Sequence, residues 1–203
     1  HRFDLGTRQS SVIDTGTNVR NNNDHVLSFD GTMIGISDQS NKERASTIFT
    51  LPSQGGTPKQ ITTLTPSYLH GWSADGKHLV YTGGRKGEFD IYAIPSGGSG
   101  PEVKLTQFKG LDDGPEYTPD GKYIYFAGGW GTARWPRRLE VATGKIDELA
   151  TTKGLMNVSS WSRDRTKYLY TYQDFNTPAD LHVGSIAQKS DRQVRLTDAN
   201  PWV

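Results

Sequence analysis

The chain has 203 residues, 33% of them hydrophobic, and a mean hydropathy of −0.66. Its 23 Lys and Arg nearly cancel 22 Asp and Glu, so no whole-molecule field recruits nucleic acid or an anionic membrane. The absence of Cys excludes disulfides and thiolate metal sites, and no run of about 18 apolar residues spans a bilayer. The chain opens at His1 instead of Met and shows no basic-then-apolar leader, which reads as a trimmed end.

In chain order, the first clear pattern is a repeat. Asp30-Gly31, Asp75-Gly76 and Asp120-Gly121 stand 45 residues apart, and Asp164-Arg165 follows 44 later. Each closes a string of one type: Ser28-Phe29-Asp30, Ser73-Ala74-Asp75, Thr118-Pro119-Asp120 and Ser162-Arg163-Asp164. A bulky residue precedes each (Leu27, Trp72, Tyr117, Trp161), and an apolar strand run follows at 33–36, 78–81, 123–126 and 168–170. Asp accepts local backbone N–H bonds and Gly takes the positive φ of a tight hairpin. Arg165 breaks that rule, so the fourth hairpin is expected to differ in turn geometry or be looser.

The second half of each unit repeats too. Third strands are predicted at 46–51, 89–94, 139–141 and 180–185, with outer partners at 59–62, 103–106, 145–149 and 194–197. A period of about 45 residues made of short strands predicts an all-β fold, a β-propeller of four-stranded blades. Four full repeats fall near 21–63, 64–107, 108–152 and 153–197 of a single domain. The end segments 1–15 and 198–203 read as an incomplete further unit that closes a shared blade, giving four or five blades. A docked or strand-exchanged C-terminal Asn200-Pro201-Trp202-Val203 is a further way to cover the end.

Over residues 1–128 these Ser/Thr-x-Asp-Gly-Lys repeats resemble the WD40-like propeller of TolB-type proteins. The strings Asn22-Asn23-Asp24-His25, Ser67-Tyr68-Leu69-His70-Gly71-Trp72, Gly87-Glu88-Phe89-Asp90-Ile91-Tyr92 and Gly110-Leu111-Asp112-Asp113-Gly114-Pro115-Glu116 carry the likeness. From about Arg138 the character changes. Tyr168-Leu169-Tyr170-Thr171-Tyr172, Asn176-Thr177-Pro178-Ala179-Asp180-Leu181 and Leu196-Thr197-Asp198-Ala199-Asn200-Pro201 look like the propeller of prolyl-oligopeptidase-type serine peptidases. The change in mid-chain points to recombination, natural or engineered. The peptidase likeness implies a propeller gating a hydrolase, yet no Gly-x-Ser-x-Gly elbow is present, since Pro101 ends the string Gly97-Gly98-Ser99-Gly100. A TolB-type protein would be periplasmic or extracellular, a peptidase-type or recombinant one cytoplasmic.

Innermost strands line a propeller's channel, so equivalent positions form rings. His25, His70, Pro115 and Ser159 stand three residues before the hairpin Ser or Thr; Asn23, Tyr68, Asp113 and Asn157 stand five before it. Period-two alternation turns both sets inward. The candidate channel site is therefore His25, His70, Asp112, Asp113 and Asn157, a set suited to a carboxylate, a sugar or a metal. Trp72 and Trp161 are read as packing between sheets. Trp130, Arg134 and Trp135 lie in a stretch that interrupts a hairpin and form a candidate partner-binding loop. Arg85, Lys86, Glu88 and Asp90 are read as a solvated hairpin face.

The expected function is a non-enzymatic binding or scaffold module, without cofactor or metal, taking a protein or small polar ligand at the channel or loops. Nucleic acid and membrane are not expected partners; a monomer or a strand-exchanged homo-oligomer is. The alternatives are the gating propeller of a peptidase, and a channel-bound metal lyase or hydrolase using His25 and His70.

Overall fold

The computed structural model describes residues 1–188 and 194–201. Among these, eighteen strands and no α-helix are found. A short hairpin, β1 (Arg2–Phe3) and β2 (Ser10–Ser11), comes first. Four antiparallel units follow, each a meander of four strands. The first is β3 (Asn21–Leu27), β4 (Met33–Asp38), β5 (Thr47–Pro52) and β6 (Lys59–Gln60). The second is β7 (Ser67–Trp72), β8 (His78–Arg85), β9 (Glu88–Pro95) and β10 (Val103–Lys104). The third is β11 (Leu111–Tyr117), β12 (Tyr123–Trp130), β13 (Ala133–Glu140) and β14 (Ile146–Glu148). The fourth is β15 (Leu155–Trp161), β16 (Lys167–Gln173), β17 (Asp180–Ser185) and β18 (Val194–Arg195). These are the blades of an all-β propeller. Single parallel bridges, Leu111 with Phe89 and Leu155 with Arg134, join the second, third and fourth blades near their inner ends.

The repeated string builds the same turn each time. Ser28 Oγ donates to Asp30 Oδ1 at 2.6 Å, the Thr32 N–H donates to the same oxygen at 3.0 Å, and the Met33 N–H donates to Ser28 Oγ at 3.0 Å. Gly31, Gly76 and Gly121 take φ of 71°, 71° and 70°. The fourth hairpin does not differ as expected. Arg165 itself takes φ 57°, and Ser162, Asp164 and Thr166 repeat the bonds of the other turns. The side-chain network imposes the left-handed conformation although a Cβ makes it unfavourable. Arg165→Gly should therefore raise stability by up to about 1 kcal/mol, a thermal midpoint higher by roughly 2–4 °C. A lower midpoint would mean that the contacts of the Arg165 side chain outweigh its backbone strain.

A second internal bond marks the repeat. The N–H of the third strand's second or fourth residue donates to a Thr hydroxyl at the start of the next linker, at 3.0 Å in each case: Ile48 to Thr62, Ile91 to Thr106 and Leu181 to Thr197. In the third blade Pro136 has no N–H and Ala150 no hydroxyl, so donor and acceptor are lost together. The backbone bond in the other direction survives there, Leu149 N–H to the Pro136 carbonyl at 3.0 Å.

Apolar side chains from facing blades make three successive cores. Leu69, Trp72, Leu79 and Tyr81 of the second blade pack with Ile48 and Ile61 of the first. Val80 and Ile91 meet Tyr117, Ile124 and Phe126 of the third. Met156, Tyr168 and Tyr170 of the fourth gather around Ala150, Trp135 and Trp161. Trp72 also donates its indole N–H to the Val26 carbonyl at 3.0 Å. Trp161 lies 4.2 Å, ring centre to ring centre, from Tyr125 of the blade before. The same column leaves Leu27 at 55% exposure, because no further blade covers that side of the first blade among the described residues.

Several expectations are corrected by these strands. The stretch around residue 130 is not an interruption: β12 and β13 pair continuously from Tyr123–Glu140 to Trp130–Ala133 around Gly131-Thr132. Among the described residues the two ends are held on different blades. β1 pairs with β2 alone, while Ile13 packs on the first blade and the Gly56 N–H donates to the Asp14 carbonyl. At the other end the Ala199 N–H donates to Asp180 of the fourth blade. Trp202 and Val203 lie outside the described residues. Asp90 and Arg85 are not solvated: Asp90 is buried against Lys104 at 2.6 Å, and Arg85 forms a two-pronged pair with Glu102 at 2.8 and 2.9 Å. No helix is long and apolar enough to cross a membrane among the described residues.

Candidate functional site

Each inner strand carries a β-bulge between its two ends. The pairing shifts between Asn21 and His25 in β3, Leu69 and Gly71 in β7, Asp113 and Glu116 in β11, and Val158 and Ser160 in β15. An extra residue reverses the alternation beyond it and re-aims the side chains there. His70 is the bulged residue of β7. Its Nε2 stands 3.4 Å from Asp113 Oδ1 on the neighbouring inner strand.

Asp113 is the centre of the cluster. Thr82 Oγ1 donates to its Oδ1 at 2.9 Å, and Arg134 Nη2 donates to its Oδ2 at 3.2 Å. The His70 imidazole first, with Thr82 and Arg134 adding to it, holds this carboxyl far below the ordinary carboxylate range. Asp24 completes the group from β3. Burial pushes its carboxyl up, opposed by the positive field of His70. Its backbone N–H is tied to Asn22 Oδ1 at 2.8 Å. Five strands, β3, β7, β8, β11 and β13, thus bring their side chains to one half-buried arrangement of paired charge.

The sequence-derived candidates divide over this geometry. His70 and Asp113 come together, and Asn157 lines the same cleft as Asp113 and Arg134. His25 does not join them. Two extra residues in β3 place it opposite Ile36 with its side chain exposed, whereas Asp24 beside it is half-buried and its carboxyl feels the field of His70. Asp112 points to the other side of β11, as adjacent strand residues must. It is buried between the second and third blades, with Arg137 Nη1 at 3.4 Å from its Oδ1. Burial raises its pKa to about 6 against the pull of Thr106 and Arg137. Gly128 leaves room for this pair, since a Cβ there would sit 2.2 Å from Arg137 Nη1 and 2.8 Å from Asp112 Oδ1.

Trp130, Arg134 and Trp135 do not form one loop surface. Trp130 is 64% exposed at the hairpin tip, whereas Trp135 is half-buried and donates to Glu148 Oε1 at 3.2 Å. Arg134 alone reaches the Asp113 cluster. Among the described residues no group of three or more His, Asp or Glu side chains is placed to hold a metal. Asp24 and Thr82 were not among the candidates. The string Asn22-Asn23-Asp24-His25 contains the first of them, but its facing depends on the bulge.

Next to the cluster, between the third and fourth blades, opens a cleft of about 610 Å³. Asp113, Arg134 and Asn157 form its inner end, Trp161 and Tyr125 one wall, and Glu116, Arg163 and Arg165 its rim. Arg165 spans the gap to Glu116, with guanidinium–carboxylate distances of 3.4 and 3.5 Å.

No family model matches the chain. An uncharacterized protein of Agrobacterium fabrum is 49% identical over 121 residues, 60% of this chain and 41% of that one. A solved TolB-type protein of Agrobacterium tumefaciens superposes with a TM-score of 0.74 at 35% identity, over 85% of this chain and 64% of that one. The likeness is to TolB-type β-propellers. The Tol-Pal system protein TolB of Francisella tularensis shares 35% identity over 63 residues, 31% of this chain and 13% of that protein. The chain spans less than two thirds of the length of each of these relatives. A prolyl endopeptidase shares the fold alone, with a TM-score of 0.65 at 14% identity over 86% of this chain and 28% of its own. That likeness extends well beyond the last third of the chain, where the peptidase-like strings lie.

Proposed function

We propose that this TolB-like propeller is a non-enzymatic binding module that takes a polypeptide partner on its inner-strand face, over the cluster of Asp24, His70, Asp113 and Arg134. The observation that carries this reading is the mutual pairing around Asp113. Its carboxylate is ionised and held by three side chains from β7, β8 and β13, which suits a fixed recognition surface better than a group that must gain and lose protons in turnover. Leu69 and Trp72 of β7 and Tyr117 of β11 are buried in the blade cores on either side of the cluster, so His70 and Asp113 are held in place before binding and binding orders little. The Tol-Pal system name of the Francisella relative is consistent with a role in an assembly.

Selection of a displayed random peptide library on the immobilised protein tests this. Enriched peptides are expected to lose about tenfold in affinity, about 1.4 kcal/mol, on His70→Gln or Arg134→Gln, with thermal midpoints showing that both variants fold. No enrichment over a bare surface, or peptides indifferent to both substitutions, would contradict the reading.

A further inference from the structure

We infer that the cleft between the third and fourth blades is a subsite for a carboxylate-bearing peptide segment, gripped by Arg134, Arg163 and Arg165; this rests on the chain being a peptide-binding module. Three arginines converge on one cleft in a chain whose total charge is only +1. They are not equally occupied. Arg134 is held by Asp113 at 3.2 Å. Arg165 meets Glu116 only at long range, 3.4 Å, and Glu116 is half-exposed, so this pair exchanges readily for another carboxylate. Arg163 has no carboxylate partner among the described residues.

Arg165 gives the independent sign. The other three hairpins place Gly at this position, whereas here an arginine is held at φ 57°. A strained residue kept at a cleft rim is a reason to look for what its side chain does. Here the turn aims the guanidinium across the opening toward β11, where Arg–carboxylate recognition gains from its two-pronged geometry. Trp161, half-buried and backed by the buried Tyr125 at 4.2 Å, offers an aromatic wall for the apolar part of the same segment. The acidic residues already in the cleft, Asp113 and Glu116, favour a peptide with spaced single charges over the dense charge of a polyphosphate or nucleic acid.

Fluorescence anisotropy with labelled alternating Ala-Glu, Ala-Gln and Ala-Lys peptides, at low and high salt, reads this out. The Glu peptide is expected to bind, weaken several-fold as salt shortens the screening length, and exceed the Gln and Lys peptides. Arg163→Ala and Arg165→Gly are each expected to cost at least about fivefold in affinity for the Glu peptide. Arg165→Gly also relieves backbone strain, so its loss of binding is not a loss of folding. Equal binding of Glu and Gln peptides, tighter binding of a labelled oligothymidylate, or indifference to both substitutions would overturn the inference. If library-selected peptides still respond to His70→Gln and Arg134→Gln, the inference alone falls; if they do not, the proposed function falls with it.

Discussion

Leu69→Ala is expected to destabilise the protein by about 3 kcal/mol and lower its thermal midpoint by roughly 10 °C. Leu69 is fully buried on an inner strand, packed with Ile48 of the first blade and with Trp72 and Tyr81 of its own. Its N–H also crosses the interface to Ser37 Oγ at 2.9 Å, so the backbone is pinned and the site collapses poorly when the side chain is removed. The facing position is Gly35, where a Cβ would stand 2.3 Å from Leu69 Cδ2. Gly35→Ala alone should therefore cost about 1–3 kcal/mol by overpacking. In the Leu69→Ala background the added methyl enters the vacated space, and its cost should shrink by about 1 kcal/mol or more. Chemical denaturation of both single variants and the double variant measures that coupling. Additivity within about 0.5 kcal/mol would show that the two blades do not meet as tightly as Gly35 and Leu69 imply.

Adjacent residues of β11 should carry opposite pH dependences. Asp112 has a folded-state pKa of about 6 against an ordinary 3.8, so the folded protein binds more protons through that window and its stability falls as pH rises across it. At about 1.4 kcal/mol per pKa unit, burial of the Asp112 carboxylate costs up to about 3 kcal/mol above pH 6. Asp113 is the reverse. Its folded pKa is depressed, so its contribution is present above the ordinary value of 3.8 and is lost on acidification. Relative to the parent protein, Asp112→Asn should gain stability between about pH 4 and pH 7. Asp113→Asn should be destabilised at neutral pH, and its deficit should narrow toward acid. Urea midpoints over a pH series decide this. Parallel curves for parent and Asp112→Asn would mean that Arg137 and Thr106 neutralise the burial of that carboxyl.

The blades were legible in the sequence because their signals are local. Ser28, Asp30 and Gly31 make their turn with one another, and so do their counterparts, so the 45-residue spacing is visible without any partner strand. The facing of the inner strands was not, because a bulge is a property of two strands in register. Period-two reading placed His25 inward with His70, whereas the two extra residues in β3 leave it exposed, with Asp24 half-buried beside it. Asp90 likewise looked like part of a charged hairpin tip; only its pairing opposite Gly83 in β8 turns it into the blade, where Lys104 answers it. Arg165 shows local chemistry prevailing over a residue rule, since three hydrogen bonds keep the turn without its glycine. Arg134 was grouped with Trp130 and Trp135 and not with Asp113, because its strand was taken for a loop. Once β13 is seen to pair along its whole length with β12, alternation sends Arg134 to the cluster and Trp135 to the opposite face.

Amide hydrogen exchange, with and without a library-selected peptide, tests the central claim most directly. Binding over the inner-strand cluster should protect amides in β3, β7 and β11, around Asp24, His70 and Asp113, and leave the Asp-Gly turns at Asp30, Asp75 and Asp120 unchanged. Protection confined to those turns or to the outer strands, with none at the three inner strands, would contradict it.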